Sequence, residues 1–157
     1  DSKYPNLIQT IKTTMEQVFD KNKASLVKHG TGCTVIQIYN KHLTNFFPQH
    51  GTGKKHDRKI ELSDWQKNII NEHPQDFIKG LFFSDGSRYR PYPTAKHYYY
   101  NFTNVSLDII ELLINTLKLI NIDCHKRLRS KNKNIMVIDI TSKKNSFILD
   151  TFIGPKT

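Results

Sequence analysis

The residue best placed for chemistry is Asp85, which closes an apolar stretch and is followed by Gly86. Residues 75–85 read as a helix. Pro74 suits its first turn, Asp76 complements the positive end of its dipole, and Gly86 suits the position just past its end. Gly80 and Ser84 are four apart and share one face of that helix, with Leu81 and Phe82 on the flanks. Small side chains there let a second helix come close. The Asp85 carboxylate sits where the helix dipole is already negative, and a second such helix would bring another carboxylate beside it. Crowded negative charge of this kind calls for a divalent cation; oxygen ligands and a phosphate substrate point to Mg²⁺. The chemistry would be metal-assisted phosphodiester hydrolysis. Taken alone, an Asp-Gly pair after an apolar helix reads more readily as an ordinary helix end before a strand, so the neighbouring elements decide.

Those elements are well punctuated. Ser63 and Gln66 have capping-box spacing and open a helix through Ile69 and Ile70. After Gly86, residues 87–90 read as a strand, and the Arg90-Pro-Tyr-Pro-Thr run reads as a turn. Residues 97–102 read as a second strand, with Tyr98, Tyr100 and Phe102 on one face and His97, Tyr99 and Asn101 on the other. Ser106 caps the next helix.

The chain also repeats an order of elements. Residues 7–47 and 109–152 each read as a helix, a basic stretch, a β-rich run (TVIQIY at 34–39, IMVIDI at 135–140) and a short polar helix (from Asn40 and from Ser142). Each ends in a Gly-containing turn with lysine, at Gly53-Lys54-Lys55 and at Gly154-Pro155-Lys156. Residues 60–105 have no counterpart ahead of the first copy. The division is therefore a partial first repeat at 1–59 (helix, β-hairpin, short helix, linker) and a complete repeat at 60–157.

Composition narrows the function. The net charge is +10 over 157 residues, with the basic residues spread along the chain. A folded, positively lined surface attracts polyanions, nucleic acid above all; a ribosomal-type or membrane-surface protein shares the charge. With 37% hydrophobic and 11% aromatic residues, the chain can build a core. No apolar run reaches membrane-spanning length and no secretory signal opens the chain. Cys33 and Cys124 lie far apart, without zinc-ribbon or disulfide-framework spacing, and the histidines show no metal-ligand spacing. An intracellular setting is the simpler expectation.

The nine residues IKGLFFSDG (78–86) resemble the LAGLIDADG motif, with Gly80, Leu81, Asp85 and Gly86 as identities, Ser84 in place of the small alanine and Phe83 at an often acidic position. The surrounding order is similar to the αββαββα unit of the LAGLIDADG homing endonucleases. The segments FPQHGTGKKHDRKIELSDWQ (47–66), FTNVSLDIIELL (102–113) and FIGPK (152–156) look like a bacterial and phage subgroup of that family. The resemblance covers nearly the whole chain and implies an α+β fold, αββαββα repeats with curved antiparallel sheets lying in the DNA major groove.

It also implies roles. Asp85 would be catalytic and, with Gly86, would hold the metal. Lys156 and either Lys54 or Lys55 would stand near the carboxylates, where a lysine stabilises charge on phosphate, unless they form plain basic turns. Gly80 and Ser84 would form the helix interface. DNA-facing positions would be the alternate polar residues Arg88, Arg90, His97, Tyr99 and Asn101, then Lys126, Arg129, Lys131 and Lys133, with Lys23, Lys28, Gln37 and Tyr39 in the first copy. Arginines would read guanine while most lysines would hold phosphates.

The expected function is Mg²⁺-dependent, site-specific cleavage of double-stranded DNA by a homing-type, intron- or intein-associated endonuclease. Each DNA strand needs a carboxylate and these residues supply Asp85. The partner is expected from a missing N-terminal half, a homodimer partner or a second polypeptide. The alternatives are a non-cleaving, sequence-specific DNA-binding regulator on the same fold and an RNA-binding, maturase-like role.

Overall fold

A computed structural model of the chain describes residues 1–53, 58–130 and 135–157, with the Ser130 side chain outside that description. Lys54, Lys55, Lys131 and Lys133 lie outside the described residues. The chain forms two compact units, residues 1–50 with 155–157 and residues 51–154.

The first unit comprises helix α1 (Pro5–Val18), strands β1 (Ser25–His29) and β2 (Cys33–Gln37) and the short helix α2 (Leu43–Phe46). The basic stretch of the first copy is thus half strand. It pairs antiparallel with β2, Val27 opposite Val35, and Gly32 takes a positive φ of 73° in the connecting turn. The core is small. Phe19 and Ala24 are buried, and the Phe19 ring meets Phe46 edge-on at 5.2 Å. Glu16 ties the helix to the chain beyond it, accepting from the Ala24 amide at 3.1 Å and from Lys12 Nζ at 3.1 Å. Its carboxyl is held below the usual range, first by the Ala24 amide and then by Lys12. The Leu7 amide donates to the Thr157 carbonyl at 2.8 Å, which fastens the C-terminal residues to α1.

The second unit carries helices α3 (Asp64–Glu72) and α4 (Pro74–Asp85), strands β3 (Gly86–Tyr89) and β4 (Tyr99–Asn104), helix α5 (Leu107–Leu119), strands β5 (His125–Ser130) and β6 (Ile135–Ile140) and helix α6 (Lys143–Asp150). From α4 onward the order is αββαββα, as expected. The helix ends follow local chemistry. Gln66 accepts from the Ser63 amide at 3.0 Å, Pro74 is the first residue of α4, and the Ser106 and Ser142 hydroxyls accept from the Ile109 and Asn145 amides. β4 begins two residues later than alternation suggested, because His97 still belongs to the turn and pairs its Nε2 with the Thr141 carbonyl at 3.0 Å.

The four strands form one antiparallel sheet in the order β3-β4-β6-β5, with a bulge between Leu128 and Ser130 that bends the edge strand. Cross-strand partners share a face. Tyr100 lies opposite Arg88 and Ile140, and Phe102 opposite Gly86 and Ile138. This face meets the helices, where Ile78, Phe82, Ile110, Leu113, Leu117 and Leu149 complete a buried core with Tyr100, Phe102, Ile138 and Ile140. The opposite face is lined by Ser87, Tyr89, Tyr99, Asn101, Thr103, Asp139, His125 and Arg127, with Val137 buried among them at 1% exposed. Among the described residues, no helix is long and apolar enough to cross a membrane.

Candidate nucleic-acid interface

The acidic helix ends in an unusually tight reversal. Gly86 leaves α4 in extended backbone, φ −90° and ψ 161°, and starts β3 at once. A Cβ there would stand 2.4 Å from Phe82 Cδ1, 2.6 Å from Phe82 Cα and 2.8 Å from the Phe82 carbonyl oxygen. The glycine is demanded by this close approach and not by its dihedral angles. Phe82 is buried and meets Tyr100 and Phe102 edge-on at 5.5 and 6.0 Å, so it cannot yield.

The reversal leaves Asp85 exposed at the helix end. Its Oδ2 accepts from Asn104 Nδ2 at 3.1 Å, while Asn104 Oδ1 accepts from the Ser106 amide at 2.8 Å. Asn104 therefore links the carboxylate to the start of α5, a role the sequence did not flag. Gly80 and Ser84 are exposed. A Cβ on Gly80 would meet nothing within 4 Å, and the Ser84 hydroxyl turns back to the Leu81 carbonyl at 3.0 Å. Among the described residues no group of three or more His, Cys, Asp or Glu is gathered as a metal site. Asp85 alone, with at most the Gly86 carbonyl, offers too few oxygens for a divalent cation.

The sheet's helix-free face is the larger feature. Asn101 Nδ2 donates to Asp139 Oδ1 at 2.6 Å, and Thr103 Oγ1 donates to Asn101 Oδ1 at 3.0 Å. Arg127 Nε donates to Asp139 Oδ2, and that bond and charge hold the guanidinium more firmly protonated. The Tyr99 ring lies between those of Tyr89 at 6.1 Å and His97 at 5.4 Å.

The residues expected to face DNA divide. Tyr99 and Asn101 are on the open face. Arg88 is not: it pairs with Tyr100 on the helix side, donating from Nε to Asp150 at 2.7 Å and to the Tyr100 hydroxyl at 3.2 Å, with its guanidinium 3.3 Å from the centre of the Tyr98 ring. Burial lowers the Arg88 pKa, but the bonds to Asp150 and Tyr100 outweigh it and the net shift is upward. Burial, and then Asp150, push the Tyr100 hydroxyl up in turn. Lys126 also lies on the helix side, opposite Ile138, and its ammonium pairs with Glu111 of α5. The grouping of Arg88 and Lys126 with Tyr99 and Asn101 is thus corrected by strand register.

Arg90 and Arg129 are exposed, one just beyond β3 and over Tyr98, the other in the bulged end of β5. In the first unit Lys23 and Lys28 are exposed, as is Tyr39 at 75%. Lys28 and Gln37 fall on opposite faces of the hairpin, since Lys28 is opposite Thr34 and Ser25 opposite Gln37. Lys156 belongs to the first unit. Sequence reasoning missed Arg127 and Asp139. The only signal for them is the pairing of β5 with β6, because β5 carries no buried apolar alternation of its own.

An αββαββα unit with one helix-free sheet face and a small-residue acidic helix is the fold of the LAGLIDADG homing-endonuclease domains. Among solved structures, the chain is similar to I-DmoI in complex with DNA and Mn, with a TM-score of 0.66 and 20% identity over 97% of this chain and 77% of that one. It resembles mesophilic variants of the same homing endonuclease at 0.66 and 19%, over 95% and 74% of the two chains. It also resembles the N-terminal LAGLIDADG domain of WhiA at 0.54 and 18%, over 91% and 65%. No protein-family model and no curated protein sequence matches the chain.

Proposed function

We propose that this chain binds double-stranded DNA site-specifically through the open face of the β3-β4-β6-β5 sheet and acts as a homing-type endonuclease with Asp85 as one of its two carboxylates. The observation that carries this reading is the α4 end, where an exposed acid follows directly on an uncovered Gly80–Ser84 face. The net charge of +10 suits a polyanionic substrate, and the I-DmoI structures were solved as DNA complexes with Mn, Mg or Ca.

In this reading the chain's own groups divide the work. Gly80 and Ser84 admit a second acidic helix from a preceding segment, a second copy or another polypeptide. Asn104 holds Asp85 in place, and Asp85 with the Gly86 carbonyl contributes oxygens to the shared site. Lys156 is the basic residue proposed to stabilise charge on phosphate. A divalent cation such as Mg²⁺, when bound, supplies activation of the attacking water and stabilisation of the leaving oxygen.

A second reading is favoured by the absence, among the described residues, of any group of three or more His, Cys, Asp or Glu that could hold a metal: a sequence-specific DNA-binding protein that does not cut. Incubating the chain with duplex fragments of its own genomic locus and Mg²⁺, beside Asp85→Asn, separates them. Mg²⁺-dependent cuts lost in Asp85→Asn establish the nuclease; binding without cuts establishes the regulator. Both readings require affinity to fall steeply with salt, by about 10³- to 10⁵-fold between roughly 50 and 200 mM for about six to ten phosphate contacts. A flat response refutes both.

A further inference from the structure

The open face of the sheet holds one arginine fastened in a way that suits a base better than a phosphate. Arg127 projects from edge strand β5 with its side chain 47% exposed, and donates from Nε to Asp139 on β6, whose side chain is only 14% exposed. Asp139 is itself fixed, because its other oxygen accepts from Asn101 at 2.6 Å and Asn101 is held by Thr103 at 3.0 Å. The chain Thr103–Asn101–Asp139–Arg127 thus runs across three neighbouring strands, β4, β6 and β5. We infer that Arg127 reads a guanine in the DNA major groove, and that Asp139, with Asn101 behind it, is the positioning residue that aims it.

Three physical points lead there. Among the described residues the tether uses Nε, which leaves both terminal nitrogens as a planar fork of donors. Guanine presents two acceptors, O6 and N7, that match such a fork; adenine and cytosine each present an amino donor that opposes it. Secondly, an untethered arginine gives up substantial side-chain freedom on binding, and a guanidinium already fixed by a carboxylate gives up less. Thirdly, Asp139 offsets the charge of Arg127. A group meant to grip phosphate gains from uncompensated charge, whereas base reading needs only donor geometry, which the pair keeps. Asn101 spends its amide on this scaffold, bonding Asp139 through Nδ2 and Thr103 through Oδ1, so it acts behind the reading residue.

This inference rests on the proposed duplex-DNA function, and the test separates the two. The full chain is selected against a randomised duplex DNA library without divalent metal, beside Arg127→Lys, Arg127→Ala and Asp139→Asn. The wild type is expected to select a motif with a fixed guanine whose replacement by adenine lowers affinity about 5- to 150-fold. Both Arg127 variants are expected to lose that preference while the slope of affinity against salt is unchanged. Asp139→Asn is expected to lose part of the preference, and to have no further effect once Arg127 is alanine. Wild-type motifs that persist unchanged in the Arg127 variants overturn the inference and leave the duplex reading standing. So does an Arg127→Ala that weakens every site equally and lowers the salt slope by about one, the signature of a phosphate contact. A wild type that selects no duplex overturns both.

Discussion

Replacing Gly86 by alanine, and separately Gly80 by alanine, should move stability in opposite directions, although both glycines belong to the same nine-residue motif. At Gly86 the added methyl would sit 2.4 Å from Phe82 Cδ1, 2.6 Å from Phe82 Cα and 2.8 Å from the Phe82 oxygen. Carbon atoms pack comfortably at about 3.5–4.0 Å, so the overlap is about 1 Å. Two of the three atoms are main chain, and the third belongs to a ring that is 2% exposed and wedged against Tyr100 and Phe102. A rotamer change cannot relieve it; the last turn of α4 and the start of β3 must part. Overpacking of this kind costs about 1–3 kcal/mol, and main-chain displacement puts Gly86→Ala near about 3 kcal/mol. The extended dihedral angles are open to alanine and add no cost. Gly80 lies within α4, and its methyl would meet nothing within 4 Å. Gly80→Ala should therefore gain about 0.5–1 kcal/mol from the smaller backbone entropy of the unfolded chain.

Urea unfolding followed by circular dichroism and by the fluorescence of Trp65, which lies on α3 of the same unit, measures both variants. With a slope of about 1–3 kcal/mol per molar, their midpoints should differ by about 1 M or more. Two variants shifting the same way, or a Gly86→Ala loss below about 1 kcal/mol, refutes the close-approach reasoning. The proposed helix interface would add a second sign change. If another helix packs on the Gly80–Ser84 face, Gly80→Ala should lower metal-dependent cleavage while it raises stability.

Other outcomes follow from the same geometry. Asp150→Ala leaves Arg88 without its carboxylate partner in a site where both side chains are about one-fifth exposed, and should cost about 2–3 kcal/mol in chemical denaturation, less than a fully buried pair. Glu16 has a lowered folded-state pKa, so its stabilising contribution is complete above the ordinary carboxylate range and is lost as pH falls below it. The protection of the Ala24 amide against exchange, taken relative to the intrinsic rate at each pH, should fall on acidification in the wild type and should be far less pH-dependent in Glu16→Gln. Cys33 is exposed, whereas Cys124 is half-buried with its thiol pushed up by burial, so a disulfide reagent near neutral pH should label Cys33 first and Cys124 only slowly.

What the sequence determined by itself is what neighbouring residues decide. Ser63 and Gln66, Pro74, Ser106 and Ser142 mark helix starts because a cap is satisfied within three or four residues, and each stands where the pattern put it. The acidic helix was equally legible, since Gly80, Ser84 and Asp85 lie within two turns. The inner face of β4 was readable because Tyr100 and Phe102 alternate with polar residues and had to be buried. Tertiary structure alone decided which side chains of β3 and β5 look outward. β3 reads GSRY and β5 reads HKRLRS, neither with an apolar marker strong enough to set its phase, and Leu128 stays 46% exposed. Their facing comes from pairing with β4 and β6, whose partners are separated by a turn or by a helix in the chain. A shift of one residue exchanges the two faces. For that reason Arg88 and Lys126 turned to the helices, and Arg127 and Asp139 came together on the open side.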